Sequence, residues 1–400
     1  MNRDQTQKLI VVALAIAALG LYVFIKSSGS FRESGGGLGK PFIDGFDKVV
    51  NDVSQITIRD GDGELNLVKN AGGWLVKERG DYSADFADIH GLLRKLVDTK
   101  LHQIEGIGEA QSKRLNFGTN NGGSELHLKD ASGKLIKELW FGKEQQSSGQ
   151  SSSPFGEGSP VGRWVMDRKN PQEAGLCSET FSELRSKASD WLNSEFFKVE
   201  KLKAISVMYP TNSTNSWALT RELETAPWSL IEPKTGEQVD PNKANTIGSP
   251  FFSASFSDIL VGKNAEDSGL AKPVAVTLRT FDDLTYQIHL GKKSETGDYP
   301  MQLTVQSNIS EKRTPGKDEK PEDKEKLDKE HADRLKSSKD KLAKDKRFEG
   351  RVYLVSGWAA DPILKQRADL LAEKKPDEPK PQPEKPALPP LLPDPSKKGK

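Results

Sequence analysis

One pattern of strands and turns occurs twice along this chain of 400 residues, and it limits the fold more than any other feature. Each copy opens with a strand of alternating apolar and polar residues, continues with a second strand, and reaches a hairpin arm that contains a tryptophan. The arm is GGWLVKE around Trp74 in the first copy and APWSLIEP around Trp228 in the second. We interpret both indoles as core anchors; the alternative is that they stack on a ligand.

The two copies also share the positions of a helix start and of a glycine. Asp85 is placed to cap a helix after the first tryptophan arm, and Asp240, followed by Pro241, is placed to cap the second. Gly142 and Gly291 occupy corresponding strand ends. Because these recurring residues are those that a scaffold needs, we interpret them as structural anchors of the repeat and not as a reaction centre.

The predicted fold class is α+β, with an N-terminal transmembrane helix followed by two related lobes, each an antiparallel sheet packed on a helix. An amphipathic helix from about Ser178 to Asn193 is expected to dock on a sheet and to join the lobes. In chain order, the predicted segments are a membrane anchor (1–26), a Gly/Ser-rich tether (27–48), a first α+β repeat (49–175), a connecting helix (176–200), a second α+β repeat (201–365) with a charged insertion (311–347), and a Pro/Lys-rich tail (366–400).

The charged insertion is rich in Lys, Arg, Asp and Glu, and its leucines are few. Leu327, Leu335 and Leu342 recur at near-heptad spacing, which gives a narrow apolar stripe. This pattern predicts either a solvated helix or a disordered segment, and the alternative is a coiled-coil contact with a partner helix. The tail that follows residue 365 is expected to be an extended, polyproline-like spacer.

The run from Leu9 to Ile25 is apolar on every side, which is typical of a membrane-spanning helix. Lys8 and Lys26 flank it, where their charged ends can reach the headgroups. The alternative is a cleaved secretory signal, for which the small residues after the run are a poor match. We therefore predict a single-pass protein of the bacterial inner membrane, held in the bilayer through residues 9–25, with the bulk of the chain on the periplasmic side.

Charge and cysteine content exclude two further classes of protein. The 59 basic and 58 acidic residues leave a net charge of only +1, whereas a nucleic-acid-binding protein needs a clustered basic surplus. No nucleic-acid partner is therefore expected. Cys177 is the single cysteine, so the chain cannot form an intramolecular disulfide and must be stabilised by its core.

Sequence motifs for catalysis or for metal binding are missing. The Gly-rich stretch near Gly35 lacks the first glycine and the hydroxyl residue of a phosphate-binding loop, and the DGDGE turn at Asp60 lacks the later acidic ligand of a calcium loop. The five histidines form no HExxH motif and no Cys/His cluster. We therefore predict no catalytic, cofactor-binding or metal-binding residue, no cofactor, and no enzymatic activity.

Several of these motifs together resemble the bacterial domain-of-unknown-function family numbered 4340. They are an ITI strand with an xGxWxL hairpin, a YxAD helix start at Tyr82, Ala84 and Asp85, and an LxFG strand end at Leu139 to Gly142. The resemblance covers roughly residues 50–305 and 350–365. It implies a membrane-anchored periplasmic protein that accompanies a gliding-motility-type ABC transporter, and it brings no catalytic residue. The chain departs from the family in the charged insertion and the tail.

Three hypotheses on function follow from the sequence. The first is a non-catalytic, membrane-anchored extracytoplasmic accessory subunit of an ABC-type transporter or envelope complex. The second is a module that binds or tethers cell-wall polymer or lipid. The third is a hydrolase whose site no recognisable motif encodes.

Overall fold

Antiparallel strands form most of the folded chain. The computed structural model describes residues 39–146, 160–247, 250–316 and 319–373. The strands of these residues are β1 Gln55–Arg59, β2 Glu64–Asn70, β3 Gly73–Val76, β4 Tyr82–Ser83, β5 Leu101–Gly106, β6 Ser124–Lys129, β7 Leu135–Gln146, β8 Pro160–Asp167, β9 Glu173–Cys177, β10 Leu202–Met208, β11 Trp217–Thr220, β12 Ser229–Leu230, β13 Phe256–Leu260, β14 Val274–Thr280, β15 Leu284–Leu290, β16 Tyr299–Ser307 and β17 Val352–Val355. The α-helices are α1 Phe86–Asp98, α2 Glu109–Arg114, α3 Pro241–Ile247, α4 Lys324–Lys346 and α5 Gly357–Ala360.

The chain divides into two compact units that are interlaced in sequence. Unit 1 takes the described residues up to Phe196 together with Ser255–Ser268 and Arg351–Ser356. Unit 2 takes Phe197–Ala254, Gly269–Gly350 and the described residues from Gly357 onward. The strand pair β13/β17, which comes late in the sequence, therefore belongs to unit 1.

Unit 1 is built on a nine-stranded antiparallel sheet in the order β4-β3-β2-β1-β6-β7-β8-β9-β5. Strands β2 and β6 alternate buried and partly exposed residues, and Ile56 and Ile58 of β1 lie opposite Leu128 and Leu126 of β6 in the buried layer. Helix α1 adds its own apolar face, which consists of Ile89, Leu92 and Leu96. The core of this unit is thus a layer of strand residues with one helix beside it.

Unit 2 contains strands in the order β12-β11-β10-β14-β15-β16. This order is the same as that of β3-β2-β1-β6-β7-β8 in unit 1, strand for strand along the sequence. The buried layer again comes from alternate strand positions, such as Tyr286, Ile288 and Leu290 of β15. The repeated sequence pattern therefore corresponds to a repeated order of strands.

The predicted fold class is wrong in its balance of helix and sheet. The structure consists mainly of two antiparallel sheets with few helices, and it is not a pair of lobes that each pack a sheet on a helix. One reason is that α3 has only seven residues and ends at Ile247, so it offers little surface to a sheet. A second reason is that alternation along the strands supplies the core, since strand residues such as Leu65, Leu67 and Leu139 are fully buried.

The prediction of a connecting helix between Ser178 and Asn193 is also wrong. Its apolar residues are buried, but the segment is extended and turned, with a 3-10 helix only at Ala188–Trp191. Phe181 adopts a left-handed backbone with a φ of 51°, which is incompatible with a continuous right-handed helix. The Ser186 amide and hydroxyl both donate to the Asp60 carboxylate, so polar contacts replace a helical turn.

The charged insertion forms a helix, α4, between Lys324 and Lys346. The three leucines of its stripe are half-buried, whereas Ser338 and Asp345 are its buried residues. The Ser338 hydroxyl donates to the backbone oxygen of Asp282 at 2.8 Å. The helix is therefore fixed on unit 2 through polar contacts, which the leucine pattern did not predict.

The membrane prediction is corrected as well. In the four described ranges, every helix is too short or too polar to traverse a bilayer. The single-pass architecture, the transmembrane helix and the inner-membrane location predicted from the sequence are therefore wrong for the described chain. Residues 9–25, on which those predictions depended, lie outside the described residues, as do most of the tether and the tail from residue 374.

Candidate functional site

The recurring tryptophans are buried in their units, and the recurring helix caps are partly exposed. Trp74 and Trp228 are both buried, and the Arg221 guanidinium lies 4.6 Å from the centre of the Trp228 ring. Asp85 accepts hydrogen bonds from the backbone amides of Ala87 and Asp88, and Asp240 accepts them from those of Asn242 and Lys243. These residues stabilise the scaffold, and they are not brought together into one site.

The recurring glycines are positions of close backbone approach. A Cβ atom on Gly142 would lie 2.2 Å from the backbone oxygen of Leu115, and one on Gly291 would lie 2.6 Å from that of Gly269. In both units the residue after the glycine donates its amide to that same oxygen, Lys143 at 2.7 Å and Lys292 at 3.0 Å. Each glycine thus leaves room for a backbone oxygen from an earlier segment to accept the amide of the next residue.

The most exposed aromatic surface of the described chain lies in unit 2, around Trp358 and Phe252. The Trp358 side chain is 78% exposed and that of Phe252 is 52% exposed. Both line a cavity of about 390 Å³, which we call the aromatic groove. No charged residue lines it; the walls are Asn245, Thr246, Ile247, Pro250, Phe251, Phe252, Ser253, Ala254, Trp358, Ala359 and Pro362. Exposed large apolar side chains that adjoin a cavity in this way mark interaction surfaces.

The floor of the aromatic groove is held by Phe251. This side chain is buried, and its ring centre lies 5.8 Å from that of Phe197. Its backbone has a φ of 59°, and its carbonyl oxygen accepts the amide of Val199 at 3.1 Å. The left-handed turn at Phe251 directs the chain so that Phe252, the next residue, lies at the surface.

The short helix α5 presents Trp358 on the other side of the groove. Ala360 and Ile363 are fully buried and anchor this turn in unit 2. Asp361 accepts hydrogen bonds from the Tyr299 hydroxyl and, at 2.9 Å, from the Lys293 ammonium group. The Trp358 side chain is therefore exposed on a backbone that is fixed at its C-terminal end.

The charges beside α5 are paired with one another. Hydrogen bonds from Tyr299 and then from Lys293 lower the pKa of Asp361 below its ordinary value. The hydrogen bond to Asp361 raises the pKa of Lys293, and burial raises the pKa of Tyr299. At neutral pH this trio contains a carboxylate, an ammonium group and a neutral phenol, so its net charge is close to zero beside an uncharged groove.

Sequence reasoning did not find the aromatic groove. Phe252 and Trp358 are about 100 residues apart, and strands β13 to β17 and the charged insertion lie between them. The available signal was the run SPFFSASF, in which small residues flank adjacent aromatic residues, and the GWAADP turn. Within the described ranges no group of three His, Cys, Asp or Glu residues is placed to hold a metal ion.

Comparisons with known proteins add no assignment, since no family model, no curated protein and no solved structure matches this chain. The resemblance to the family numbered 4340 therefore stays a prediction from the motifs. A proposal about function therefore rests on the fold and on the aromatic groove.

Proposed function

We propose that this protein is a non-catalytic accessory subunit that binds a protein partner of a larger complex through the aromatic groove. The exposure of Trp358 and Phe252 on either side of an uncharged cavity is the observation that carries this proposal. Tryptophan is among the residues that contribute most to protein–protein binding, and apolar aromatic side chains are enriched at interfaces. Components of an ABC-type transporter or envelope complex are the partners that the family resemblance implies.

The chemistry of the groove favours one kind of occupant, an extended and uncharged apolar segment of the partner. None of the groove's lining residues could pair with a charged side chain, so burying a charge there would cost free energy. Asn245, Ser253 and the indole N–H of Trp358 supply hydrogen-bonding groups for a partner's backbone. Proline-rich or extended peptides bind in aromatic-lined grooves of this character.

The test is a co-purification of the full chain from its native cells after mild cross-linking. We expect an ABC-type transporter or envelope protein to be recovered with the wild-type chain, and Trp358→Ala to reduce that recovery by roughly tenfold or more, because interface tryptophans commonly contribute over 2 kcal/mol. Phe86→Ala is the matched control, since Phe86 is 64% exposed in unit 1 and lies outside the groove.

Two outcomes would contradict the proposal. One is recovery of the wild-type chain alone at native abundance, and the other is equal partner recovery with Trp358→Ala and with Phe86→Ala. Misfolding does not confuse the result, because a substitution at a side chain that is 78% exposed should change stability by less than about 0.5 kcal/mol. A urea melt of each variant checks this expectation. Binding of cell-wall polymer or lipid, and a hydrolase without a motif, stay predictions from the sequence.

A further inference from the structure

The last described residues of unit 2 lie beside the helix that forms one wall of the aromatic groove. The Ala372 amide donates to the backbone oxygen of Gln238 at 2.9 Å. The amide of Asp240, which precedes α3, donates to the backbone oxygen of Leu370, also at 2.9 Å. The chain is therefore fixed at the start of α3 where the tail begins.

The aromatic groove lies at the other end of this helix. Its wall includes Asn245, Thr246 and Ile247, the last three residues of α3. The helix has only seven residues, which correspond to a rise of about 10 Å. Residues 374–385 could span about 37 Å as an extended chain at about 3.1 Å per residue. The part of the tail that follows residue 385 is therefore close enough to enter the groove.

One stretch of the tail has a composition that suits this groove. Residues 386–393 have the sequence PALPPLLP, which is the longest run without a charged residue after residue 373. Lys385 precedes the run and Asp394 follows it. The run also contains every leucine of residues 374–400, namely Leu388, Leu391 and Leu392. We call residues 386–393 the leucine–proline segment.

The leucine–proline segment and the aromatic groove match in polarity. No charged residue lines the groove, so leucine and proline side chains can enter it without burying a charge. The exposed rings of Trp358 and Phe252 supply aromatic surface, and proline-rich segments bind in grooves with such a lining. Proline also restricts the free segment, so less conformational entropy is lost when it binds.

The short link between groove and segment favours the chain's own tail over a free peptide of the same sequence. A short flexible link gives an effective concentration in the millimolar range. At about 1 mM, a segment whose Kd as a free peptide is about 0.1 mM would occupy the groove in about nine molecules of ten. Weak intrinsic binding is therefore enough to keep the groove filled.

From this geometry we infer that the leucine–proline segment occupies the aromatic groove of its own chain, and that a partner must displace it. The inference rests on the proposed function, because both treat the groove as a site for an extended apolar peptide. It adds the regulation of that site. The tethered segment lowers the apparent affinity for every partner, so only a segment that binds better than the tail is retained.

The experiment measures, by fluorescence anisotropy, how a labelled peptide of residues 384–395 binds to the full chain. The test variant, called the leucine variant, combines Leu388→Ser, Leu391→Ser and Leu392→Ser in the full chain. We expect the peptide to bind it about tenfold more tightly than it binds wild type, because the tethered competitor is lost. Adding Trp358→Ala to the leucine variant should weaken the peptide again by about tenfold.

Two matched controls accompany these variants. Lys397→Ser, Lys398→Ser and Lys400→Ser together change three tail residues but keep the link and the leucine–proline segment, so the peptide should bind as weakly as to wild type. Phe86→Ala added to the leucine variant should leave the tight binding unchanged, because Phe86 is 64% exposed and lies outside the groove. A urea melt of each variant checks that the chain stays folded.

Four results would overturn the inference. Three of them are no binding of the peptide to any form at millimolar concentration, equal affinity for wild type and the leucine variant, and tight binding that Trp358→Ala does not change. The fourth is a wild-type dimer in gel filtration that the leucine variant does not form. It would mean that the tail of a second copy fills the groove.

Partner recovery in the leucine variant separates this inference from the proposed function. If no partner is recovered from cells, yet the peptide binds the leucine variant through Trp358, the proposed function fails and the contact within the chain stands. If a partner is recovered through Trp358, but the peptide does not bind and the leucine variant recovers no more partner than wild type, the inference alone fails.

Discussion

At the scale of single residues, Gly142 is one of the glycines that leave no room for a side chain. A methyl group there would be placed 2.2 Å from the Leu115 backbone oxygen, which cannot move without losing the bond from Lys143. We expect Gly142→Ala to lower the free energy of unfolding by about 1–3 kcal/mol, the usual cost of forcing extra volume into a packed site. Urea denaturation followed by tryptophan fluorescence measures it.

The control for this prediction is Gly61→Ala. A Cβ atom at Gly61 meets nothing within 4 Å, and its backbone is not left-handed, so we expect no loss of stability and a small gain from reduced freedom of the unfolded chain. If Gly142→Ala is as stable as Gly61→Ala, the close approach at Gly142 has no energetic importance.

The sequence indicated the positions of these closely approached glycines, but not the residues that approach them. Gly142 and Gly291 stand out because each precedes a lysine at the end of a repeated strand pattern. What each glycine approaches, Leu115 in one unit and Gly269 in the other, has no local signal, since the contact depends on a loop distant in sequence.

At the scale of elements, α4 depends on one buried carboxylate. Asp345 is almost fully buried, and it accepts hydrogen bonds from the Tyr286 hydroxyl at 2.8 Å and from the Lys341 ammonium group at 2.7 Å. Burial and the neighbouring carboxylate raise the pKa of Tyr286, so its hydroxyl stays a donor at every ordinary pH. This contact joins the insertion to strand β15.

Removing that carboxylate should release the C-terminal half of α4. We expect Asp345→Ala to lower the free energy of unfolding by about 2–3 kcal/mol, because the Tyr286 hydroxyl is left buried without an acceptor. Amide hydrogen exchange should become faster along α4 than in the wild type, with a smaller change in β15. The exposed Asp340→Ala on the same helix is the control, and equal exchange in both variants would show that the buried carboxylate does not fix the helix.

The sequence predicted the existence of α4 as one of its alternatives but not its attachment. Leu327, Leu335 and Leu342 gave the only apolar stripe, and all three are half-buried. Asp345 and Ser338, which make the buried contacts, look like ordinary solvated residues among many charges. A buried polar contact of this kind depends on its partner, Tyr286, which lies 59 residues earlier in the chain.

At the scale of the whole molecule, the repetition of the strand series could be found in the sequence, but the order of the strands in the sheets and the boundary of the units could not. The strands of each copy were expected to stay together in one lobe, yet β13 and β17 belong to unit 1. Their alternating sequences are compatible with either unit. Phe256 and Tyr353 contact aromatic residues from the first half of the chain, and these contacts place β13 and β17 in unit 1. A local sequence pattern does not contain that information.

These contacts form an aromatic cluster inside unit 1. The ring of Tyr353 lies 4.9 Å from that of Phe196 and 6.2 Å from that of Tyr82, and Phe256 lies 5.6 Å from Tyr82. Arg79 adds a hydrogen-bonded ion pair with Asp258 of β13. Two short segments from late in the sequence therefore complete the unit that the first half begins.

The interlacing predicts that the first half cannot fold stably without the second. A fragment of residues 39–196 lacks β13 and β17 and exposes Tyr82 and Phe196, and burial of each aromatic side chain contributes about 1.5–3 kcal/mol. Against a total stability of about 5–15 kcal/mol, this loss should leave the fragment largely unfolded or aggregated, as circular dichroism and gel filtration would show. Co-expression with residues 197–373 should restore a soluble complex, because it returns both strands. A fragment that melts cooperatively by itself, at the temperature of the full chain, would mean that β13 and β17 add nothing to unit 1.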